Sequence, residues 1–238
     1  MRRRFFVEQF DHQQAILEGE AAHHLGRVLR AQIGQQYELS NGSEVWLCEI
    51  EEVGRDRLTF KLVEALPAYQ PSLETVLLLA IVKFDAFEWA LEKATELGVS
   101  EIVPLAAERS EKGLLAAAVK RAERWQKILL EASQQSRRIQ LPKLHPAARP
   151  EEAFRLHQGS IRVMLSESTA ARPLRTVLGD RTADRAILAI GPEGGWTESE
   201  FAVARTFGFE EASLGRLILR TETAVVASLA SINFALSA

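Results

Sequence analysis

The sequence predicts an α/β fold with two domains, a small β-rich domain over residues 1–70 and a larger one over residues 74–238. The first domain is indicated by short alternating apolar and polar runs, which are typical of half-buried antiparallel strands. The second is indicated by continuous apolar runs such as TVLLLAIV that alternate with helical patterns, as in parallel sheets covered on both faces. Between them, PAYQPSL at residues 67–73 contains two prolines and is the predicted linker.

The strands of the first domain are predicted at FFVEQF, at YELSNGSEVWLCEI and at RLTFKLVEA. The middle stretch consists of two alternating runs around Asn41-Gly42. This dipeptide favours positive φ at both corners of a type I′ turn, so we expect a hairpin there. Together these strands predict a small β-barrel.

One helix is predicted in the first domain, within EAAHHLGRVLR. At helical spacing, His23, Arg27 and Arg30 share one face. Leu25, Val28 and Leu29 lie on the opposite, apolar face. The basic face is a candidate surface for nucleic acid, and a solvated helix face is the alternative.

The second domain begins with the strand TVLLLAIV and a helix that we expect Asp85 to cap, with Glu88 completing a capping box and Gly98 ending the helix. The strands EIVPL, IRVMLSE, AILAI and EEASL follow, separated by helical segments. The chain closes with TAVVASLASINFAL, which is apolar nearly all round. Such a helix is buried or lies at an interface.

Composition excludes several classes of protein. Hydrophobic residues make up 47% and charged residues 26%, which is typical of a globular protein. No apolar run approaches the ~20 residues of a membrane span, and MRRRFFVEQF lacks the apolar core of a signal peptide. Cys48 is the only cysteine, which excludes an internal disulfide and favours the cytoplasm. The histidines have no metal-ligand spacing, so we predict no metal.

Net charge is −3, so any nucleic acid must be bound by a local patch rather than by bulk charge.

Three predicted loops follow the carboxyl ends of strands, which is where open α/β sheets bind ligands. They are Leu165-Ser166-Glu167, GPEGG at residues 191–195, and LGRLILRTETA at residues 214–224. GPEGG matches neither the dinucleotide fingerprint nor the P-loop. It is either a tight turn, with Thr197 and Glu200 as a capping box, or a loop whose glycines let the backbone approach a ligand. The third loop either fills the core or covers a flat apolar group such as adenine.

GPEGG, followed about twenty residues later by LG-x-x-I-L-R-T-E-T-A, resembles the RsmE-type family of 16S ribosomal RNA uracil-N3 methyltransferases in the SPOUT superfamily. The resemblance extends along the chain: it includes HLGRVLR, Lys83 with FEWALEKATELGVSEIVPL, Glu108-Arg109-Ser110, and ERWQKI with Gln135 and Arg138. The chain departs from the family pattern at Leu217, where arginine is common, at Gln134, where glutamate is frequent, and at Phe84, Ala86 and Phe87. These departures concern individual RNA contacts more than methyl transfer.

The resemblance implies a PUA-like RNA-binding barrel followed by a SPOUT domain with a C-terminal trefoil knot. It further implies S-adenosylmethionine as the methyl donor, the small ribosomal subunit as the substrate, and a homodimer through the knot and the last helix. Two alternatives remain open: an RNA-binding ribosome-assembly protein without catalysis, and a related methyltransferase acting on another RNA. No membrane partner is expected.

The resemblance also assigns site residues. We expect the cofactor at Leu165, Ser166, Glu167, Ile190, Gly191, Glu193, Gly194, Gly195, Leu214, Gly215, Ile218, Leu219, Thr221 and Ala224. Arg220 is the candidate for stabilising uracil or orienting a phosphate, with a salt bridge to Glu193 or Glu222 as the alternative. Glu222 or Glu193 could be the base, and each could equally be a cap or a cofactor ligand. RNA contacts are expected at Arg2, Arg3, Arg4, His23, Arg27, Arg30, Lys83, Arg109 and Arg138.

Overall fold

The computed structural model describes residues 3–69 and 71–236, which form two compact units. The first unit contains residues 1–70 together with residues 133–141, and the second contains residues 71–132 and 142–238. Nothing in the sequence pattern pointed to the contribution of residues 133–141. Within the described ranges, no helix combines the length and the apolar character needed to cross a membrane.

A six-stranded mixed sheet forms the first unit, in the order β1-β4-β5-β6-β3-β2. Only the β1–β4 pair is parallel. Because β1 and β2 are edges in the described residues, the predicted barrel is present as an open sheet. Its strands are β1 Arg4–Phe6, β2 Phe10–Asp11, β3 Gln14–Glu18, β4 Gln36–Ser40, β5 Val45–Val53 and β6 Arg57–Leu66.

The predicted hairpin is confirmed as β4 and β5, but the type I′ turn is wrong. The connection spans residues 41–44, and only Gly42 in it has positive φ, at 92°. Asn41 instead folds the loop through its side chain, whose Oδ1 accepts hydrogen bonds from the backbone amides of Ser43 at 3.0 Å and Glu44 at 2.8 Å. This is the local side-chain turn that asparagine commonly makes.

The helix of the first unit departs from the prediction because it widens into a π-helical turn. Helix α1 covers Gly19–His23 and continues as a π turn over His24–Val28. The wider turn breaks the 3.6-residue spacing on which the predicted faces depended. Val28 and Leu29 are therefore 60% and 41% exposed instead of packed, and Arg30 leaves the helix with a φ of 53°.

Seven parallel strands form the sheet of the second unit, in the order β11-β13-β10-β12-β7-β8-β9. The α/β prediction is confirmed. The strands are β7 Glu74–Ala80, β8 Glu101–Leu105, β9 Lys143–Leu144, β10 Ile161–Leu165, β11 Arg172–Pro173, β12 Arg185–Ile190 and β13 Glu210–Ser213. The helices are α2 Phe84–Glu96, α3 Lys112–Ala118, α4 Ala122–Gln135, α5 Pro150–Leu156, α6 Leu174–Leu178, α7 Glu198–Thr206 and α8 Thr221–Leu236, with a 3₁₀ turn at Val119–Arg121.

Helices cover both faces of this sheet, which explains the continuous apolar runs. Along β7, Leu77 and Leu79 join one buried cluster, whereas Val76, Leu78 and Ala80 join the cluster on the other face, and all five are fully buried. Alternate side chains of a strand point to opposite faces, so a strand buried on both sides has no polar position.

Gly98 ends helix α2 as predicted, with a φ of 89° just after the last turn. The predicted capping box is wrong, because the helix begins one residue before Asp85 and has no side-chain cap. Glu88 is instead buried, and its carboxylate accepts hydrogen bonds from Arg121 at 3.2 Å and Arg124 at 2.7 Å.

A charged cluster lies at the amino ends of the central strands, opposite the predicted ligand loops. Arg185 donates to Glu101 at 2.6 Å and also binds Glu74, while His145 Nε2 lies 2.6 Å from the other oxygen of Glu101. Burial acts to raise the pKa of Glu101, but the hydrogen bonds from Arg185 and His145 outweigh it and lower the pKa. Ionised Glu101 therefore stabilises this end of the sheet.

Candidate functional site

The second unit contains a cavity of about 480 Å³ where β10, β12 and β13 end. The three predicted loops meet there. Of the predicted cofactor residues, all but Gly194 line the cavity: Leu165, Ser166, Glu167, Ile190, Gly191, Glu193, Gly195, Leu214, Gly215, Ile218, Leu219, Thr221 and Ala224. Arg220 and Arg109 also line it.

The predicted cofactor residues did not include Ser168, Pro192, Trp196 and Phe201, which also line the cavity. Leu217 lines it too, as part of the apolar loop that was predicted to cover a flat group. Trp196 directly follows GPEGG, and a large aromatic beside a run of glycines is the signal that could have found it. Phe201 lies one helical turn further on, in α7.

Each glycine of GPEGG meets a different need within the protein. A Cβ on Gly191 would lie 3.0 Å from the indole of Trp196, so the ring requires a bare backbone there. A Cβ on Gly194 would lie 3.3 Å from Cβ of Arg109. Gly195 has a φ of 70°, which other residues rarely adopt. The tight-turn interpretation is also correct, because Thr197 and Glu200 form the predicted capping box of α7.

Hydrogen bonds tie the cavity loops to one another. The indole Nε1 of Trp196 donates to the carbonyl oxygen of Leu165 at 3.0 Å, which joins the loops after β12 and β10. The hydroxyl of Thr221 donates to the carbonyl oxygen of Gly191 at 3.2 Å, which joins the last helix to the glycine loop. These two hydrogen bonds join the three loops that surround the cavity.

The loop after β8 holds the glycine loop from its other side. Arg109 donates from Nη1 to the carbonyl oxygen of Gly194 at 2.8 Å. The amide of Glu108 donates to Glu200 at 2.9 Å, and the hydroxyl of Thr197 donates to the carboxylate of Glu108 at 3.1 Å. Arg109 therefore lines the cavity and also belongs to the hydrogen-bonded connection between the loop after β8 and the glycine loop.

The charged groups on the cavity wall are two arginines, Arg109 and Arg220, and two glutamates, Glu167 and Glu193. Glu222 is not on the wall and lies half-buried in the first turn of α8. In the described part of the chain, Arg220 forms no ion pair with Glu193 or Glu222. The same part of the chain contains no group of three or more metal-ligating side chains.

Arg4 is a correction to the predicted RNA surface. It is only 6% exposed, and its guanidinium binds Glu38, with Nη2 at 2.9 Å from Oε2. It also donates to the backbone carbonyl of Arg137, and the guanidinium of Arg137 binds Glu38 as well. A guanidinium enclosed in this way is unable to reach a phosphate. Arg3 is exposed, and Arg2 lies outside the described residues.

The remaining predicted RNA residues are mostly exposed. His23, Arg27 and Arg30 are exposed in the first unit, but the shared helical face is lost because Arg30 follows the π turn. Arg138 is half-buried; it donates to the carbonyl of Gln140 at 3.1 Å, and burial lowers its pKa to about 10. Lys83 and Arg109 are exposed in the second unit.

A doubly covered parallel sheet with a preformed cavity at its carboxyl edge defines an α/β enzyme that binds a small organic ligand there. Comparison with known families identifies it further. A model described as an RNA methyltransferase domain matches residues 69–233, and one described as an RNA methyltransferase PUA domain matches residues 17–63. The chain belongs to this family of RsmE-type RNA methyltransferases, which confirms the resemblance.

Curated relatives carry the name ribosomal RNA small subunit methyltransferase E. The protein of Synechocystis sp. is 34% identical over 237 residues, covering 95% of this chain and 75% of that protein. The protein of Aquifex aeolicus is 29% identical over 215 residues, covering 89% and 90%.

Two solved structures are similar over almost their whole length. The methyltransferase E of Neisseria gonorrhoeae bound to S-adenosylmethionine is 28% identical, with a TM-score of 0.87, and the match covers 100% of this chain and 99% of that one. A methyltransferase of Legionella pneumophila in complex with the same cofactor is also 28% identical, with a TM-score of 0.89 and the same coverage.

Proposed function

We propose that this protein transfers a methyl group from S-adenosylmethionine to N3 of a uridine in 16S ribosomal RNA of the small ribosomal subunit, and that it works in the cytoplasm. The observation that carries the proposal is the cavity built by GPEGG and the loop that ends in Arg220, because these are the segments in which the family resemblance is strongest. The names of the curated relatives support the small subunit as the substrate.

The cavity fits the cofactor. Its volume of about 480 Å³ lies within the range of about 300–1,000 Å³ typical of small-molecule sites. Ile190, Ile218 and Leu219 provide aliphatic walls for an adenine ring, and Glu167 and Glu193 are suited to a ligand with positive charge. When bound there, S-adenosylmethionine supplies a methyl group that is already activated by its sulfonium.

The protein must then orient the uracil and take its N3 proton. Arg220 is at the cavity wall, where its guanidinium would stabilise negative charge on the uracil carbonyl oxygens as N3 loses that proton. Of the two candidate bases, Glu193 lines the cavity and Glu222 does not, which favours the carboxylate of Glu193 as the proton acceptor. Glu222 then stabilises α8, because a negative charge in the first turn of a helix interacts favourably with the helix dipole.

The RNA would be held by exposed basic groups of both units. We assign this role to Arg3, His23, Arg27, Arg30, Lys83 and Arg109, with Arg2 and Arg138 as further predicted contacts. N3 of uracil lies on the pairing edge of the base, so the target has to be unpaired and moved into the cavity. Single-stranded or loop RNA is therefore the expected target.

We also propose that the C-terminal segment is threaded as a trefoil knot. Support comes from the path of the chain: β13 lies beyond β10 in the sheet, yet the following helix α8 packs against α2 and β12. The chain between them passes the glycine loop, where Thr221 binds Gly191. True knots are rare, so this proposal depends on the family resemblance as well.

A homodimer is the third part of the proposal. Helix α8 buries Val225, Leu229 and Ile232 on one face, but Phe234 is 93% exposed on the other. The proposal rests on the family resemblance together with Phe234, a large apolar side chain left exposed on a helix that is otherwise apolar. We expect Phe234→Asp to give the 26.5 kDa monomer in light scattering where the parent gives the dimer, and a monomeric parent at low micromolar concentration would contradict the proposal.

The test of function is to incubate the protein and labelled S-adenosylmethionine with small subunits from a strain that lacks the enzyme, and to identify the methylated nucleoside. N3-methyluridine is the expected product. Label on another base, or at a ribose, would identify a methyltransferase with another target atom. Tight binding to the subunit without label would favour an assembly protein.

A further inference from the structure

Trp196 contacts the loop after β10 and the loop after β12, both of which line the cavity. It is 6% exposed, it lines the cavity, and it packs edge-on against Phe154 with ring centroids 6.3 Å apart. Its Nε1 donates to the carbonyl oxygen of Leu165, and the same part of the ring lies against Gly191. One side chain thus touches the loops after both β10 and β12.

The indole of Trp196 lies so close to Gly191 that no side chain fits between them. A Cβ on Gly191 would be 3.0 Å from both Nε1 and Cε2 of the indole, closer than nearly all real Cβ contacts. The carbonyl of Gly191 in turn accepts the hydroxyl of Thr221. The indole therefore sets the distance between the loop at Leu165 and the loop at Gly191, and through Gly191 it reaches the start of α8.

We propose that Trp196 is a positioning residue for the methyl donor: its indole N–H fixes the Leu165 carbonyl, and its ring fixes the Gly191 backbone, so that both loops are spaced for the cofactor before it binds. The proposal rests on the function proposed above. A ligand that meets preformed loops loses less free energy to ordering them, so the consequence of the contact is donor affinity.

The chain provides a matched control in Trp125. This tryptophan is also buried in the second unit, at 3% exposure, and it packs against Phe87 with ring centroids 4.7 Å apart. Its Nε1 has no hydrogen-bond partner among the described residues, and it does not line the cavity. The same substitution, tryptophan to phenylalanine, therefore removes a similar volume from the core at both positions but removes a hydrogen bond to a cavity loop only at Trp196.

The experiment compares Trp196→Phe and Trp125→Phe by calorimetric titration with S-adenosylmethionine, by melting temperature without ligand, and by steady-state kinetics on small subunits. We expect Trp196→Phe to weaken donor binding about tenfold, as expected for one lost hydrogen bond to preorganised backbone. The KM for the donor should rise with kcat nearly unchanged at saturating donor. Trp125→Phe should change the melting temperature only through the smaller ring, because it removes no hydrogen bond, and it should leave donor affinity within twofold.

A double variant tests the contact itself. Gly191→Ala should weaken donor binding in the parent, and it should do so less in the Trp196→Phe background, because the smaller ring leaves space for the new methyl group. In addition, donor titration should change the tryptophan fluorescence of the parent and of Trp125→Phe but not that of Trp196→Phe.

Equal loss of donor affinity in Trp196→Phe and Trp125→Phe, or additive effects of Gly191→Ala and Trp196→Phe, would overturn the inference. Failure of the proposed function is distinguishable from this outcome, because it would appear in the parent protein as absence of donor binding or of label in the subunit.

Discussion

Replacing Arg4 by alanine removes one of the two guanidinium groups that hold a buried carboxylate. The side chains of Arg4 and Glu38 are only 7% and 5% exposed, and the two groups are 2.9 Å apart. The second partner of Glu38, Arg137, is 45% exposed. After the substitution, Glu38 stays buried with a single partner that is partly screened by water.

Arg4→Ala should lower the free energy of unfolding of the first unit considerably, because Arg4 is buried although its strand lies at the edge of the sheet. Removing one partner of a buried ion pair costs about 3–5 kcal/mol, because the other charge remains desolvated. Since Arg137 still binds Glu38, we take the lower limit of about 3 kcal/mol. At about 1.4 kcal/mol for each factor of ten, the sheet of the first unit should open roughly a hundredfold more often.

Hydrogen exchange resolved by peptide measures this opening. Amides of β4, β5 and β6 should exchange about a hundredfold faster in Arg4→Ala, while those of β7 and β12 in the second unit serve as the internal reference. Arg3→Ala is the matched control: its side chain is exposed, so it should weaken RNA binding without changing exchange. Unchanged exchange in Arg4→Ala together with weaker RNA binding would show that Arg4 contacts RNA and would refute the structural role.

Further outcomes follow from other contacts. The double substitution Arg27→Glu and Arg30→Glu should abolish methylation and should give weaker RNA binding with a shallower salt dependence, while calorimetry shows unchanged donor affinity. Methylation at a near-parental rate would mean that the RNA binds elsewhere on the protein. Gly194→Val should displace Arg109 and weaken donor binding with little change in the unliganded melting temperature, and a large drop in that temperature would make the glycine purely structural. The lowered pKa of Glu101 gives stability that is present above its ordinary value of 4.5 and is lost as pH falls through the lowered pKa. Glu101→Gln should therefore flatten the acid limb of a stability–pH curve, and parallel curves would contradict that.

The parallel sheet and its three loops could be predicted because their signals are local. A strand covered on both faces is apolar throughout, and the loops at its carboxyl end carry glycines and a polar stretch that interrupt the pattern. Even the capping box at Thr197 and Glu200 needs only four consecutive residues. Most of the residues that line the cavity were therefore predicted once the family motif was recognised.

The features that were predicted wrongly or not at all depend on contacts between residues distant in sequence or on local geometry without a sequence marker. Arg4 stands in a basic terminus that has the pattern of a phosphate-binding patch, but its partner is 34 residues away in sequence, and Arg137 is 133 residues away. The π turn after α1 has no marker in the local sequence, so Arg30 was predicted to share a helical face with His23 and Arg27, which it does not. Trp196 was missed because one aromatic has no periodicity, and its role depends on Leu165, 31 residues earlier.

The first unit is not continuous in the chain, and this has a consequence for its synthesis. Glu38 is made early, but residues 133–141, which carry Arg137, follow β7, β8 and most of α4. On the ribosome, roughly a further hundred residues must be synthesised, which takes about 5–20 s at about 5–20 residues per second, before the buried carboxylate has both cations. A gene fragment that ends at the linker would consequently encode a sheet whose buried Glu38 keeps Arg4 but lacks Arg137, and transplanting the first unit onto another enzyme requires two segments rather than one.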